Sequence, residues 1–370
     1  MTMSKNAATE PAEAHRQRFA LLVLVILIGL NLRPFLTAIG PLAQAIDQRL
    51  ALGMDTLAWL TLLPLWLIGI GVLLTPSLRR CASARQLLGA ALLLLGIGSA
   101  MRFDAQSGTL LIASAALCGL GSALVQGVLP ALIKQAFAHK VPLVMGIFSA
   151  CMMGGGALGA SLTPRLAASL DWSRALALWS LPVLLALVWL GWQVRLPRAA
   201  AVAIPDGEQR LITLPRSWLL IICFGIINSG YGIVVAWLAP AYMAQGWSAA
   251  QAGELVAWLA LAQTASGLGL PLLAARKMDR RPWMALAIVM QLAGFAGLWL
   301  APQAATGPWV AARLYHHFGD FAAAWQWQLG GLLLMSLLVL RLAPRGYAKV
   351  MRLPAPAAMG SSTAQSNTPA

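Results

Sequence analysis

Phe19-Ala20-Leu21-Leu22-Val23-Leu24-Val25-Ile26-Leu27-Ile28-Gly29-Leu30-Asn31-Leu32-Arg33-Pro34-Phe35-Leu36-Thr37-Ala38-Ile39 contains a single charged residue. As a helix rising 1.5 Å per residue, this run covers a hydrocarbon core of about 30 Å. Comparable runs recur at 54–78, 87–102, 108–133, 142–164, 173–194, 217–242, 249–274, 284–300 and 322–343, which predicts ten spans in all. Composition agrees with this count. Of 370 residues, 59% are hydrophobic and 10% are charged, and the mean hydropathy is +0.75. Soluble domains carry about 25% charged residues, so lipid rather than water must solvate most of this chain. The predicted class is an all-α polytopic membrane protein.

The net charge of +15 invites a nucleic-acid reading, but its distribution argues for another. With the N-terminus placed in the cytoplasm, 20 of the Lys and Arg fall on cytoplasmic segments. Only 5 lie on the far side (Arg49, Arg102, Arg165, Arg174 and Arg313), and Arg33 lies within a span. This asymmetry follows the positive-inside rule and needs no nucleic-acid partner. It puts the basic turns Arg79-Arg80 and Arg276, Lys277, Arg280 and Arg281 in the cytoplasm, together with both termini. A cleaved signal peptide with Phe19–Leu30 as its apolar region is the alternative for the N-terminus. The resumption of the apolar run beyond Arg33, and Glu10 and Glu13 in the tail, speak against it.

The longest polar stretch between spans, 196–216, predicts a division into two halves. Residues 1–18 form a cytoplasmic tail, 19–195 a six-helix half, 196–216 a cytoplasmic linker, 217–343 a four-helix half and 344–370 a disordered cytoplasmic tail. A weak internal repeat supports the division. Gly69-Ile70-Gly71 precedes Arg79-Arg80 at the end of the second span, and Gly267-Leu268-Gly269 precedes Arg276-Lys277 at the end of the eighth. Internal repeats of this kind are common in transporter folds.

Within the first span, Gly29-Leu30-Asn31-Leu32-Arg33-Pro34, continuing to Thr37 and Gly40-Pro41, is a fairly specific element. Leu129-Pro130 to Lys134, Ala236-Trp237-Leu238-Ala239-Pro240 and Ala252-Gly253 add to it jointly. On these residues the chain resembles the major facilitator superfamily, in the branch that holds bacterial cyanate and nitroimidazole transporters. The resemblance implies a bundle of two related halves in the bacterial inner membrane and alternating access to a small solute. It also implies twelve spans, against the ten counted. The hairpin of spans ten and eleven is expected to be missing, with a junction near Pro308 to Arg313, which puts transport competence in question.

Arg33 lies near mid-membrane, where an unpaired cation costs about 3 kcal/mol. Either it snorkels or is neutralised by helix-terminal carbonyls, or it faces a cavity and attracts an anionic or electron-rich solute through its fork of donors. Pro34 removes a backbone donor and predicts a kink. Asn31 and Thr37 offer hydrogen bonds nearby. Gln126, Asn228, Ser229 and Tyr231 lie within spans four and seven, where interhelical bonding is the plain alternative to a solute contact. The resemblance places those helices along the cavity, and Trp237 is either packing or a stacking surface for a flat solute. The expected solute-binding set is therefore Arg33, Asn31, Thr37, Gln126, Asn228, Tyr231 and Trp237.

Gly154, Gly155, Gly156 and Gly159 give the fifth span a face of small residues that lets helices approach closely; by resemblance this helix lies between the halves. Glu254, near the outer end of the eighth span, is either an interfacial acid or a proton-coupling carboxylate. His316, His317 and Asp320 are too few and too exposed to predict a metal site. The cysteines Cys81, Cys118, Cys151 and Cys223 share no ligand spacing. No cofactor and no catalytic constellation is expected, so the chain is not read as an enzyme. The expected partners are a small-molecule solute, with a coupling proton left open, and the lipid bilayer; the expected state is a monomer. A transporter for a small anion or small polar heteroaromatic is the leading function, and a truncated, transport-impaired remnant is the alternative.

Overall fold

The computed structural model describes residues 6–138, 140–194, 215–244, 246–274, 285–286 and 288–292. Every element among them is a helix: α1 (Asn6–Asn31), α2 (Pro34–Thr37), α3 (Ile39–Leu50), α4 (Gly53–Cys81), α5 (Ala84–Ala100), α6 (Gly108–Ala136), α7 (Val141–Leu170), α8 (Trp172–Ala177), α9 (Ser180–Trp192), α10 (Pro215–Ala244) and α11 (Ala249–Ala274). Among the described residues five stretches are long and apolar enough to cross a bilayer: His15–Thr37, Asp55–Cys81, Gly108–Ala136, Val141–Leu170 and Trp172–Trp192. The shorter apolar helix Ala84–Ala100 accompanies them. The seventh and eighth predicted spans fall on α10 and α11. The last predicted span, residues 301–321, the metal-site candidates and the turn with Arg276, Lys277, Arg280 and Arg281 lie outside the described residues, as do the linker at 196–214 and the tail at 344–370.

The first span, predicted over 19–39 with a kink at Pro34, is longer than predicted and fully broken there. The helical path begins at Asn6 and breaks at Leu32-Arg33, then resumes through α2 and α3 to Leu50. Proline explains the break. Pro34 has no N–H for the Leu30 carbonyl, while its fixed φ suits the first position of a new helix. The sixth span is likewise two pieces, α8 and α9, joined at Leu178-Trp179. Residues 6–18, predicted as a tail, extend α1.

The bundle has a core packed from α1, α5, α6 and α9, in which Leu24, Ile28, Leu88, Leu92, Leu95, Val125, Val128 and Leu129 are fully enclosed. A second cluster seats α3 against α4, α6 and α8 through Ile39, Leu42, Ile46, Leu57, Leu60, Leu111 and Trp172. The outward faces are as apolar as the inside. Leu73 is 75% exposed and Trp192 82%, with Trp66, Ile97, Leu181 and Leu184 also outward. Water would not tolerate so continuous an apolar surface, whereas hydrocarbon does.

Contacts sort the helix ends into two groups. At one end Arg85 donates to Gly191 O at 2.8 Å and Trp189 Nε1 donates to Ala20 O at 2.9 Å. These bonds gather the start of α5, the end of α9 and the lower part of α1, close to Arg79 and Arg80 in the last turn of α4. At the other end Ser173 Oγ donates to Phe103 O at 3.3 Å, and Arg174 lies 6.0 Å from the Phe103 ring. The α10–α11 pair packs on this body mainly through α11 against α7 and α10 against α3.

Candidate functional site

The break after Asn31 is held from two sides. On the first, α7 presents its glycines. A Cβ on Gly155 would collide with the Leu30 carbonyl, the group that Pro34 leaves without its helical donor. A Cβ on Gly159 would lie 2.6 Å from Pro34 Cα, and one on Gly156 would lie 3.3 Å from both Arg33 Cβ and Thr37 Cγ2. Bare backbone therefore lets α7 lie directly along the break. Thr37 Oγ1 donates across this seam to Gly156 O at 2.8 Å. Gly154 takes no part, since no described atom lies within 4 Å of a Cβ built there. Two alanines of α7 face α11 instead: Ala157 clusters with Ala257 and Ala260, and Ala160 meets Gly253.

On the second side stands Arg102, which sequence reasoning assigned to the water-facing outer charges. The structure buries it to 1% exposure. Its Nε donates to Ser114 Oγ at 3.0 Å and its Nη1 to Phe35 O at 3.0 Å. A charged residue ending an apolar run reads as a solvated helix end. Nothing local marks it as buried, because its acceptor Phe35 is 67 residues away in the chain.

Arg33 itself is half-buried at the break, with its guanidinium carbon 4.6 Å from the centroid of the Tyr231 ring of α10. Such a contact contributes about 0.5–2 kcal/mol, depending on desolvation. Among the described residues the one ion pair is Arg165–Glu254, so no carboxylate there neutralises Arg33. The structure thus brings together Arg33, Thr37, Gly156 and Tyr231 from α2, α7 and α10.

The other expected solute residues lie apart from this cluster or have local partners. Asn31 Nδ2 donates to Leu27 O at 2.7 Å within α1. Gln126 Nε2 donates to Ser122 Oγ at 3.0 Å within α6. Asn228 and Ser229 occupy exposed positions of α10, and Ser229 donates back to Ile226 O. Trp237 is buried with Ala58, Leu62 and Ala236, where α10 meets α4. Gln263 of α11 was not among the expected solute-binding residues; its Oε1 is buried and has no hydrogen-bond partner among the described residues. Glu254 pairs with Arg165, linking the start of α11 to the last part of α7 at a half-exposed position.

A helical bundle with apolar outward faces and a proline-broken first helix has the character of a membrane-spanning protein. Residues 20–351 match the Major Facilitator Superfamily, and the chain belongs to that family. It is similar to the cyanate transport protein CynX of Escherichia coli (strain K12), with 40% identity over 287 residues covering 76% of this chain and 74% of that one. It is also similar to the 2-nitroimidazole transporter of the same organism, with 32% identity over 291 residues covering 78% and 74%. A solved D-xylose–proton symporter shares the fold at a TM-score of 0.62 and 18% identity, over 88% of this chain and 81% of the other. The chain is therefore a multi-pass membrane transporter of the cyanate and nitroimidazole branch, acting on a small-molecule solute and not as an enzyme.

Proposed function

We propose that the chain carries a small anion or small polar heteroaromatic, of the cyanate or nitroimidazole kind, across the bacterial inner membrane with both termini cytoplasmic. The carrying observation is the Arg33 guanidinium at a helix break, stacked on Tyr231 and without a carboxylate partner among the described residues. Similarity to a cyanate transport protein and a 2-nitroimidazole transporter supports the choice of solute class.

In this reading residues 19–195 rock against 217–343. Arg33 belongs to the first segment and Tyr231 to the second, so rocking parts the guanidinium from the ring. A solute then takes the place of each lost partner. The fork of guanidinium donors suits a planar anion or nitro group, and the ring face suits a flat heterocycle. The cation–π contact is weak enough to be exchanged for such contacts at little net cost. A coupling proton belongs to the same reading, and one chain is the transporting unit.

Proteoliposomes containing the chain should take up labelled cyanate or 2-nitroimidazole above empty controls, and flux should respond to an imposed pH gradient. Arg33→Lys keeps the charge and loses the fork, so its half-saturation concentration should rise about tenfold or more. Arg33→Ala should abolish saturable flux. Parent-level transport by a normally inserted Arg33→Ala protein would remove Arg33 from the site.

A further inference from the structure

Arg102 is a fully buried cation at the turn between α5 and α6, and the solute reading gives it no part. Buried charges inside membrane bundles are costly and persist where they do specific work. This one sends a charged donor to Phe35 O, two residues beyond Arg33, in the four-residue α2. So short a helix has little hydrogen bonding of its own. Leu36 N and Thr37 N both bond to Arg33 O at 3.0 Å, so Arg33 is tied to α2 through its own carbonyl. Displacing Phe35 therefore displaces Arg33. The rear of the guanidinium is fixed in turn by Ser114 Oγ, which itself donates to Leu111 O at 2.7 Å on the rigid α6.

We propose that Arg102 is a positioning residue for solute binding: through its bond to Phe35 O it holds α2 in register and so sets where the Arg33 guanidinium lies. The proposal rests on the reading of Arg33 as the solute contact. Arg102 does not itself touch solute. Its fork spans two acceptors on different elements, Phe35 O and Ser114 Oγ, which a point-charge ammonium serves poorly. Losing one charge-assisted bond at this place is expected to cost about tenfold in affinity.

The test uses Arg102→Met, Arg102→Lys and Arg33→Lys, singly and as the Arg102→Lys/Arg33→Lys pair, in the full chain. The first measurement is amide hydrogen exchange of peptides covering Pro34–Ala38, which needs no transported solute. Exchange there should rise at least about tenfold in both Arg102 variants while α4 stays at parent level. The second is the concentration dependence of labelled cyanate and 2-nitroimidazole flux, per inserted molecule. KM should rise about tenfold with the maximal rate retained, and Arg102→Lys should add nothing in the Arg33→Lys background. Arg102→Lys covers the case in which Arg102→Met fails to insert. Unchanged exchange at Pro34–Ala38 overturns the proposal. So does an unchanged KM, or a loss that simply adds to that of Arg33→Lys, since a merely structural residue would behave that way. If the parent carries neither solute, the functional reading fails, and the exchange measurement alone decides whether Arg102 holds the break.

Discussion

Replacing Gly159 with alanine puts a methyl group 2.6 Å from Pro34 Cα, 2.7 Å from Thr37 Oγ1 and 3.1 Å from Pro34 Cβ. Ordinary contact begins near 3.4 Å. The α7 backbone must therefore retreat by about 1 Å, because Pro34 Cα belongs to a backbone pinned by Arg102 and cannot swing aside. Overpacking of this kind costs about 1–3 kcal/mol. The same retreat stretches the 2.8 Å bond from Thr37 Oγ1 to Gly156 O, which adds about 0.6 kcal/mol on the average for hydrogen bonds within membranes. A loss of about 2–3 kcal/mol should lower the unfolding midpoint in detergent by several degrees, in a fluorescence or circular-dichroism melt. Gly155→Ala meets Leu30 backbone and should be as severe. Gly156→Ala, with its nearest neighbours at 3.3 Å, should be milder. Gly154→Ala meets nothing within 4 Å and replaces a poor helix former by the best, so its midpoint should hold or rise. A melt in which Gly154→Ala and Gly159→Ala fall equally, or in which Gly159→Ala is unaffected, would refute the close approach of α7 to the break.

The Arg165–Glu254 pair is about half exposed on both sides (57% and 46%), so Glu254→Gln should change stability by less than about 1 kcal/mol, an effect that disappears in high salt. A loss of several degrees at high salt would show the pair to be more than a surface contact. Trp237→Ala empties the space among Ala58, Leu62 and Ala236 and should destabilise by about 3 kcal/mol or more, with KM for solute unchanged if Trp237 is packing. A raised KM at parent stability would return it to the solute site. Reporter fusions at Gln106 and Gly246 should read the outer side and those at Ser83 and Asp206 the cytoplasm. An outer reading at Asp206 would refute the division into halves.

The membrane class and the helical elements were legible in the sequence because each rests on local properties. Span length and hydropathy need no partner from elsewhere in the chain. Pro34 announced the break beside Arg33 for the same reason, since a missing N–H acts on its own helix. The small-residue face of the fifth span was legible too, but not its division. Gly155, Gly156 and Gly159 turn to the break and Ala157 and Ala160 turn to α11, while Gly154 meets neither. That sorting depends on how α7 is rotated between two neighbours. Polar residues were the least legible. Asn31 and Gln126 bond within their own helices, Tyr231 reaches Arg33, and Arg102 is enclosed against Phe35 O. Which partner a polar side chain finds in a bundle depends on helix rotation and depth. Both are set by packing among helices far apart in sequence, so only the tertiary structure decided them.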